Sequence, residues 1–379
     1  MTSEVYRGHC QKWQYDSIQN FCESLYTSGT MNGIRSFVLL TGLVVIGAIY
    51  MLRHGSMRTQ STVGLSTDVS MSPSLSPTPN PLATSALRAR RYDADPPHIE
   101  QTLMHDSAYT KYLVSYTSDG LKIYGVMAVP VGEAPPGGWP YIMLNHGFIP
   151  PAEYDNTAKY VAYIDTLARG GFVVFMSDYR GHGASAGTAE GGYFSPGYTI
   201  DVMHAISAVK KMKAVNPSKL FLWGHSMGGN VSMRVRSLEP TVKGTVLWAG
   251  VVGSYPMIYK EFFNRPRNSE GSPEQRLRWS SSRLRMIREH GTPSASLSYW
   301  KSIDPMTTVA DIFTPIQIHH GENDQTVPVT VGKLFAAELA DAKVAHEQYL
   351  YPSEDHNING PSFGTAMART IEFFRAQMK

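Results

Sequence analysis

The sequence predicts an α/β protein in which a mostly parallel sheet of eight strands carries helices on both faces. From about residue 110 onward, short apolar runs alternate with amphipathic segments, and this alternation is typical of parallel strands joined by right-handed crossovers. Leu220, Phe221, Leu222 and Trp223 follow one another without polar alternation, the pattern of a strand buried on both faces. With 379 residues and 42% hydrophobic content, the chain can bury one large core.

The elements follow in order along the chain. An antiparallel hairpin is predicted first, because the runs 111–117 and 121–130 flank an Asp-Gly pair at Asp119, a strong hairpin signal. Six further strands are predicted at 141–147, 172–178, 219–224, 244–250, 315–321 and 346–351. Helices are predicted between them at 155–169, 198–214, 227–238, 330–340 and 362–377. The long interval 254–311 is rich in arginine and aromatic residues and is predicted to be a helical cap insertion over the carboxyl edge of the sheet.

The region before this domain divides into three parts. After an N-terminal segment, 1–35, the uncharged apolar run 36–52 would reach about 25 Å as a helix, barely enough to span a bilayer. Residues 53–105 contain a Ser/Thr/Pro-rich stretch and are predicted to be a linker, so that the catalytic domain is expected over 106–379. The run 36–52 is therefore not predicted to be a buried core helix, because a helix next to such a linker has nothing to pack against.

The apolar run 36–52 is therefore predicted to be a membrane anchor, or the signal segment of an exported protein if translation begins at Met31. No A-x-A cleavage site and no cysteine suited to lipidation follow it, which favours the anchor. Arg35 lies on one side and Arg53 with Arg58 on the other, and this small bias favours a cytoplasmic main domain. The Pro/Ser-rich tether favours an outward-facing one, so the orientation stays open.

Composition argues against several classes of partner and cofactor. With Lys+Arg 34 against Asp+Glu 31 and a net charge of +3, no global field indicates nucleic acid as a partner. Cys10 and Cys22 are the only cysteines, too few for a zinc site or a disulfide framework. The sequence has neither a tight His/carboxylate cluster nor a G-x-G-x-x-G after the first strand, so no metal and no cofactor are expected.

The strongest motif is Gly224-His225-Ser226-Met227-Gly228, which fits the G-x-S-x-G nucleophile elbow. In this elbow a strained strand-to-helix turn lifts the serine hydroxyl above the sheet edge. Alone the motif is weak, since a chain of this length carries about 0.2 such matches by chance. It needs a base and an acid elsewhere.

Two later strand exits supply them. Asp324 follows the strand at 315–321, and His356 follows the strand at 346–351, reproducing the chain order Ser…Asp…His of this architecture. His356 would take the proton of Ser226, while Asp324 would fix the tautomer of the imidazole. Other residues are alternative candidates for these two roles: Glu322, Glu354 and Asp355 for the acid, and His182, His225, His319 and His320 for the base.

Two more exits carry polar groups. The exit after 141–147 reads Asn145-His146-Gly147-Phe148, and main-chain amides fixed where charge develops lower the barrier to acyl transfer. The amides of Phe148 and Met227 are therefore predicted to form an oxyanion hole. Asp178 ends the strand at 172–178 and is expected to order its loop with Arg180.

With these residues in place, the chain from about 110 to its C-terminus resembles the α/β-hydrolase superfamily, and in particular the catalytic domain of the prolyl oligopeptidase family of serine peptidases. The motifs TSDGLKIYGVMAVP, NHGF, DYRGHGAS, GHSMGG, HGENDQTVP and EDHN carry the resemblance in family order. It covers about seven tenths of the chain and implies Ser226 as nucleophile, Asp324 as acid, His356 as base, and Phe148 with Met227 as oxyanion donors. The resemblance departs in one respect, because no β-propeller precedes the domain.

The predicted function is therefore that of a membrane-tethered or exported serine hydrolase, a peptidase similar to prolyl oligopeptidase, which forms an acyl-enzyme on Ser226. Two alternatives are a carboxylesterase or lipase-type esterase acting on small acyl esters, and a non-catalytic binding module with the hydrolase fold.

Overall fold

A nine-stranded sheet forms the centre of the computed structural model, which describes residues 80–265, 283–294, 297–311 and 313–378. The strand order is β1-β2-β3-β5-β4-β6-β7-β8-β9. The strands are β1 His98–His105, β2 Tyr109–Ser118, β3 Leu121–Pro130, β4 Trp139–Asn145, β5 Val173–Ser177, β6 Val215–His225, β7 Val242–Trp248, β8 Ile316–Gly321 and β9 His346–Tyr351.

The sheet is antiparallel at one end and parallel over the rest. β1 pairs with β2, β2 with β3 and β3 with β5 in antiparallel fashion, whereas β4 to β9 all run parallel. The eight predicted strands are present as β2 to β9, and the prediction of a mostly parallel sheet with an antiparallel start is confirmed. The carboxyl ends of the parallel strands meet at one edge, where ligand sites of such sheets lie.

The predicted number of strands was wrong by one, because β1 lies in the region predicted to be a linker. Its sequence, HIEQTLMH, is mostly exposed and shows no apolar alternation. Its pairing with β2 is interrupted by two register shifts. An edge strand with two exposed faces is held by main-chain hydrogen bonds rather than by buried side chains, so hydropathy does not reveal it.

Helices cover both faces of the sheet, as predicted. Successive residues of β6 show this directly: Leu220 and Leu222 pack into one apolar cluster, and Phe221 and Trp223 into another on the opposite face. The helices are α1 Thr84–Arg88, α2 Val161–Arg169, α3 Gly197–Lys210, α4 Met227–Leu238, α5 Tyr255–Ile258, α6 283–290, α7 Ser298–Ile303, α8 Val329–Asp341 and α9 Phe363–Ala376. Helices α3 and α4 contribute to the first cluster, and α2 and α9 to the second.

Residues 80–97 also differ from the predicted linker, because they pack onto the domain. Leu82 and Leu87 are 5% and 2% exposed, and the guanidinium of Arg88 donates to the carbonyl of Ser237 in α4 at 2.9 Å. Two large apolar residues within a Ser/Pro-rich stretch are too few to produce a helical period. The folded domain therefore begins upstream of residue 106.

The interval 254–311 is helical in its described parts. It contains α5, a π-helical turn at Tyr259–Phe263, α6, α7 and a 3-10 segment at Pro305–Asp311. Phe262, Met286 and Trp300 from these segments are buried in the same cluster as α3 and α4. Residues 266–282 of the predicted cap lie outside the described ranges.

The predicted anchor at 36–52 also lies outside the described residues. Within the part of the chain that the structure describes, no helix combines the length and the apolar character needed to cross a bilayer.

Candidate active site

Ser226 lies at the sharp turn between β6 and α4. Its backbone angles are φ 54° and ψ −121°, a region that residues with a Cβ rarely occupy and that costs free energy. Neighbouring main chain holds this conformation. The Ser226 amide donates to the carbonyl of Trp248 at 3.0 Å, and its own carbonyl accepts from the amides of Gly229 and Val251, each at 3.0 Å.

The two motif glycines allow close approach of the backbone around Ser226. A Cβ on Gly224 would lie 2.4 Å from the hydroxyl of Ser232 in α4, and a Cβ on Gly228 would lie 1.9 Å from the carbonyl oxygen of Asn145. Rotating a side chain would not make room at either position, since backbone atoms lie within 3 Å of each Cβ position. The glycines therefore let α4 begin directly against β4 and β6.

Asp324 and His356 lie in contact after β8 and β9. Nδ1 of His356 donates to Oδ2 of Asp324 at 2.8 Å, which leaves Nε2 of the neutral ring as an acceptor. The other carboxylate oxygen accepts from the amides of Thr326 at 2.9 Å and Val327 at 2.8 Å. The Asp324 side chain is fully buried, whereas that of His356 is 15% exposed.

A second histidine contacts the same carboxylate. Nε2 of His320 lies 3.2 Å from Oδ2 of Asp324 and 2.9 Å from the carbonyl of Val327. Burial alone would raise the pKa of Asp324, but the hydrogen bonds from His320 and His356 outweigh it and hold this pKa below its usual range. Four donors therefore keep the carboxylate ionised.

The alternative acids make other contacts. Glu322 forms an exposed ion pair with Lys333 at 3.4 Å. Glu354 accepts two main-chain amides of the following loop, and Asp355 accepts the amide of Asn357. Of these four carboxylates, Asp324 is the one hydrogen bonded to the ring of His356.

The remaining candidate bases are held inside the protein. His319 bonds Tyr351 and Gln317 and stacks on Trp248. His182 faces two main-chain carbonyls. His320 contacts Asp324, as described above, so it belongs to the surroundings of the acid.

His225, the residue before Ser226, contacts two other parts of the site. Its Nδ1 lies 2.6 Å from the hydroxyl of Tyr160, and its Nε2 lies 3.1 Å from the main-chain carbonyl of His356. The rings of His225 and His356 are 4.6 Å apart between centroids. The loop that bears His356 therefore lies against the elbow.

The loop after β4 also runs beside Ser226. A Cβ on Gly147 would lie 3.0 Å from Cβ of Ser226, and Phe148 follows directly. Met227 is the first residue of α4, where a helical amide has no acceptor within its own helix. The two predicted oxyanion donors thus belong to segments that adjoin Ser226.

The expected partner of Asp178 was wrong. Asp178 accepts from the hydroxyl of Tyr154 at 2.9 Å and from the side-chain amide of Asn156 at 2.8 Å, while Arg180 pairs with Asp201 at 2.7 Å. Burial raises the pKa of Asp178 to about 6. Asp178 orders the loop after β4 rather than its own.

Tyr160 and the contact of His320 with Asp324 were missed from the sequence. Tyr160 lies in an ordinary amphipathic segment, and it reaches His225 across 65 residues of chain. His320 stands at the end of a buried strand, where a histidine is usually a core residue. Among the described residues, no group of three or more His, Cys, Asp or Glu is arranged to hold a metal ion.

Known proteins resemble the chain over most of this region. Residues 141–271 match the family model for serine aminopeptidases (S33), and residues 284–372 match the model for the dienelactone hydrolase family. The chain is 25% identical over 248 residues to the uncharacterised peptidase YtmA of Bacillus subtilis (strain 168), which is 65% of this chain and 85% of YtmA.

Two solved structures share its fold. An acetyl xylan esterase from Paenibacillus sp. R4 superimposes with a TM-score of 0.55 at 20% identity, over 76% of this chain and 91% of the esterase. Dipeptidyl peptidase 4 of Porphyromonas gingivalis superimposes with a TM-score of 0.54 at 17% identity, over 71% of this chain and 36% of the peptidase.

A mostly parallel sheet that carries a strained serine elbow at its carboxyl edge defines the class of α/β hydrolases. The chain belongs to the α/β-hydrolase superfamily, and it is an enzyme of the serine-hydrolase type.

Proposed function

We propose that the protein hydrolyses peptide or ester bonds through an acyl-enzyme on Ser226, with His356 as base and Asp324 as acid. The observation that carries the proposal is the 2.8 Å hydrogen bond between Asp324 and His356, on a loop that lies against the elbow of Ser226. The elbow angles of Ser226 support its role as nucleophile.

The proposed reaction has two steps. The hydroxyl of Ser226 attacks the acyl carbon while Nε2 of His356 takes its proton, and the tetrahedral oxyanion is bound by the amides of Phe148 and Met227. His356 then returns the proton to the leaving alcohol or amine, and the acyl group stays on Ser226. A water molecule then attacks the acyl carbon while His356 takes one of its protons, and His356 returns that proton to the Ser226 oxygen as the acid leaves.

A peptide substrate is the first candidate. The motifs quoted above resemble the catalytic domain of prolyl oligopeptidases, and the match to the serine aminopeptidase model supports this candidate. On this view the leaving group is an amine, which His356 must protonate before the bond breaks.

A small acyl ester is the second candidate. The acetyl xylan esterase is covered over 91% of its length, whereas the dipeptidyl peptidase is covered over 36%. The more complete match to the esterase supports an ester as the substrate.

The test uses the full chain and an active-site probe. A fluorophosphonate probe is expected to label the wild-type protein and not Ser226→Ala, whereas Ser218→Ala, at an exposed serine, should label like the wild type. Labelling that persists in Ser226→Ala would contradict the proposed nucleophile. Wild-type protein that neither reacts with the probe nor turns over any ester or anilide would instead support a binding module.

Substrate class is resolved by comparing turnover of p-nitrophenyl acetate, p-nitrophenyl palmitate and aminoacyl p-nitroanilides. The peptidase candidate requires the anilide to be turned over with a specificity constant at least comparable to that of the acetate ester. Turnover of the acetate ester alone supports the carboxylesterase, and preference for the palmitate ester supports a lipase-type enzyme.

A further inference from the structure

Three loops of the proposed site are joined by a continuous chain of hydrogen bonds through Tyr160 and His225. The amide of Gly147 lies 2.8 Å from the hydroxyl of Tyr160, that hydroxyl lies 2.6 Å from Nδ1 of His225, and Nε2 of His225 lies 3.1 Å from the carbonyl of His356. These hydrogen bonds therefore connect the loop of the proposed oxyanion donor, through His225 of the elbow, to the loop of the proposed base.

We infer that Tyr160 and His225 are positioning residues, which hold the Phe148 and His356 loops in register with Ser226 for acyl transfer. This inference rests on the proposed function. Neither residue is assigned a step in the chemistry itself.

The direction of each hydrogen bond follows from the groups at its two ends. The Gly147 amide can only donate, and the carbonyl of His356 can only accept. His225 must therefore carry its proton on Nε2, which leaves Nδ1 as an acceptor. Tyr160 accepts from Gly147 and gives its single proton to His225, so it has no proton left for an oxyanion.

The charge state agrees with this pattern. Burial, with the nearby His356 ring as a smaller cause, lowers the pKa of His225 to about 3, and burial raises the pKa of Tyr160. Both side chains stay neutral at ordinary pH, and the arrangement of donors and acceptors persists through the reaction. His225 is consequently unsuited to act as a second base.

The backbone of Tyr160 is strained in the conformation that makes these contacts. Its φ is 57°, in the left-handed region, and no side chain caps the helix that begins after it. A tyrosine in this region costs of order 1 kcal/mol or more. Its hydroxyl bonds stabilise the conformation and direct the side chain toward His225.

The same contacts orient the proposed oxyanion donor. The carbonyl of Gly147 accepts from Nδ1 of His146 at 2.7 Å, while its amide donates to Tyr160. Gly147 is thus held on both sides. Because a trans peptide places its N–H opposite its C=O, the bond from His146 sets the direction of the Phe148 amide.

The first test is Tyr160→Phe in the full chain, assayed with whichever of the substrates above the wild type turns over. We expect kcat to fall by about 10- to 100-fold, since a displacement of about 1 Å in a reacting group can cost this much, while KM stays within about two-fold. The matched control is Tyr109→Phe, which loses a comparable hydroxyl bond, to Asp165 at 3.1 Å, away from the site. It should retain the wild-type kcat.

His225 supplies a second, independent test. His225→Gln can still accept from Tyr160 and donate to the His356 carbonyl, and it should keep kcat within about five-fold of wild type. His225→Leu can do neither and should resemble Tyr160→Phe. The double variant Tyr160→Phe with His225→Leu should be no worse than either single variant, because the two side chains act through one chain of bonds.

Several outcomes would overturn the inference. One is a kcat within three-fold of wild type in Tyr160→Phe, and another is a change confined to KM. A structural role only would be shown if Tyr109→Phe lost as much kcat as Tyr160→Phe, or if His225→Gln lost as much kcat as His225→Leu. Each of these outcomes is measured against a wild-type activity that Ser226→Ala abolishes, so they are distinct from a failure of the proposed function.

Discussion

Asp324 illustrates how much a single residue of this site depends on its surroundings. Several carboxylates follow β8 and β9, and the strand exits and chain order favour Asp324 while leaving Glu322, two residues earlier, as an alternative. The structure separates them by contact: Asp324 is buried beneath His356 and His320, whereas Glu322 points to solvent and pairs with Lys333.

Asp324→Asn tests the acid. An asparagine offers an amide where His356 needs an acceptor for its Nδ1 proton, so the ring is expected to take the wrong tautomer and kcat to fall by about 10³- to 10⁴-fold. The measurement is kcat on the preferred substrate at pH 7. Glu322→Gln is the control, and it should stay within about two-fold of wild type. A larger loss in Glu322→Gln than in Asp324→Asn would reverse the assignment.

At the scale of single residues, the sequence was informative where a motif and a chain order define the chemistry. Ser226, Asp324 and His356 follow from strand exits and their order. Tyr160 does not, because its role depends on a left-handed φ and on a partner 65 residues away. No pattern of hydropathy or spacing records either feature.

At the scale of elements, the boundaries depend on local backbone conformation. Helix α4 was predicted over 227–238 and has these bounds, since the elbow starts it sharply. Helix α2 was predicted from 155 and begins at 161, because the positive φ of Tyr160 interrupts the helical backbone. Helix α3 was predicted to 214 but ends at Lys210, and four residues separate it from the start of β6 at Val215.

The segment at 80–97 gives an element-scale prediction. Leu87 of α1 is 2% exposed, so Leu87→Ala should lower the free energy of unfolding by about 2–5 kcal/mol through lost burial and a residual cavity. Urea unfolding followed by circular dichroism would measure it. Val131→Ala, at a side chain that is 44% exposed, should change stability by less than about 0.5 kcal/mol. An equally small change in stability for Leu87→Ala would contradict the packing of 80–97 onto the domain and support the predicted linker.

At the scale of the whole molecule, the fold class was predictable because buried parallel strands leave continuous apolar runs. Every residue of β5 and of β8 is buried, and both were predicted from such runs. The number of strands was not predictable, because β1 is an exposed edge strand. The sequence thus predicts the buried central strands of this sheet better than its exposed edge strand.

The stability of the molecule should depend on pH through Asp178. Its pKa is about 6 in the folded protein because of burial, so between pH 3.8 and about 6 the folded state binds more protons than the unfolded state. The free energy of unfolding therefore falls as pH rises through this window and levels off above it. The contribution of Asp178 is about 3 kcal/mol.

This dependence can be isolated with Asp178→Asn. The free energy of unfolding of the wild type minus that of the variant should decrease by about 3 kcal/mol between pH 3.5 and pH 7. Taking the difference cancels other groups, such as Asp304, whose pKa burial also raises to about 6. Urea unfolding at several pH values provides the measurement. A difference that is constant or rises with pH would contradict the prediction.

The shell around Asp324 has one further consequence for turnover. Three of its four donors, the amides of Thr326 and Val327 and the ring of His320, take no part in moving protons. In the proposed cycle the Asp324 carboxylate therefore keeps these three donors when the His356 ring moves toward the leaving group. Because the donors are fixed dipoles, the carboxylate is already solvated at the start of each turnover.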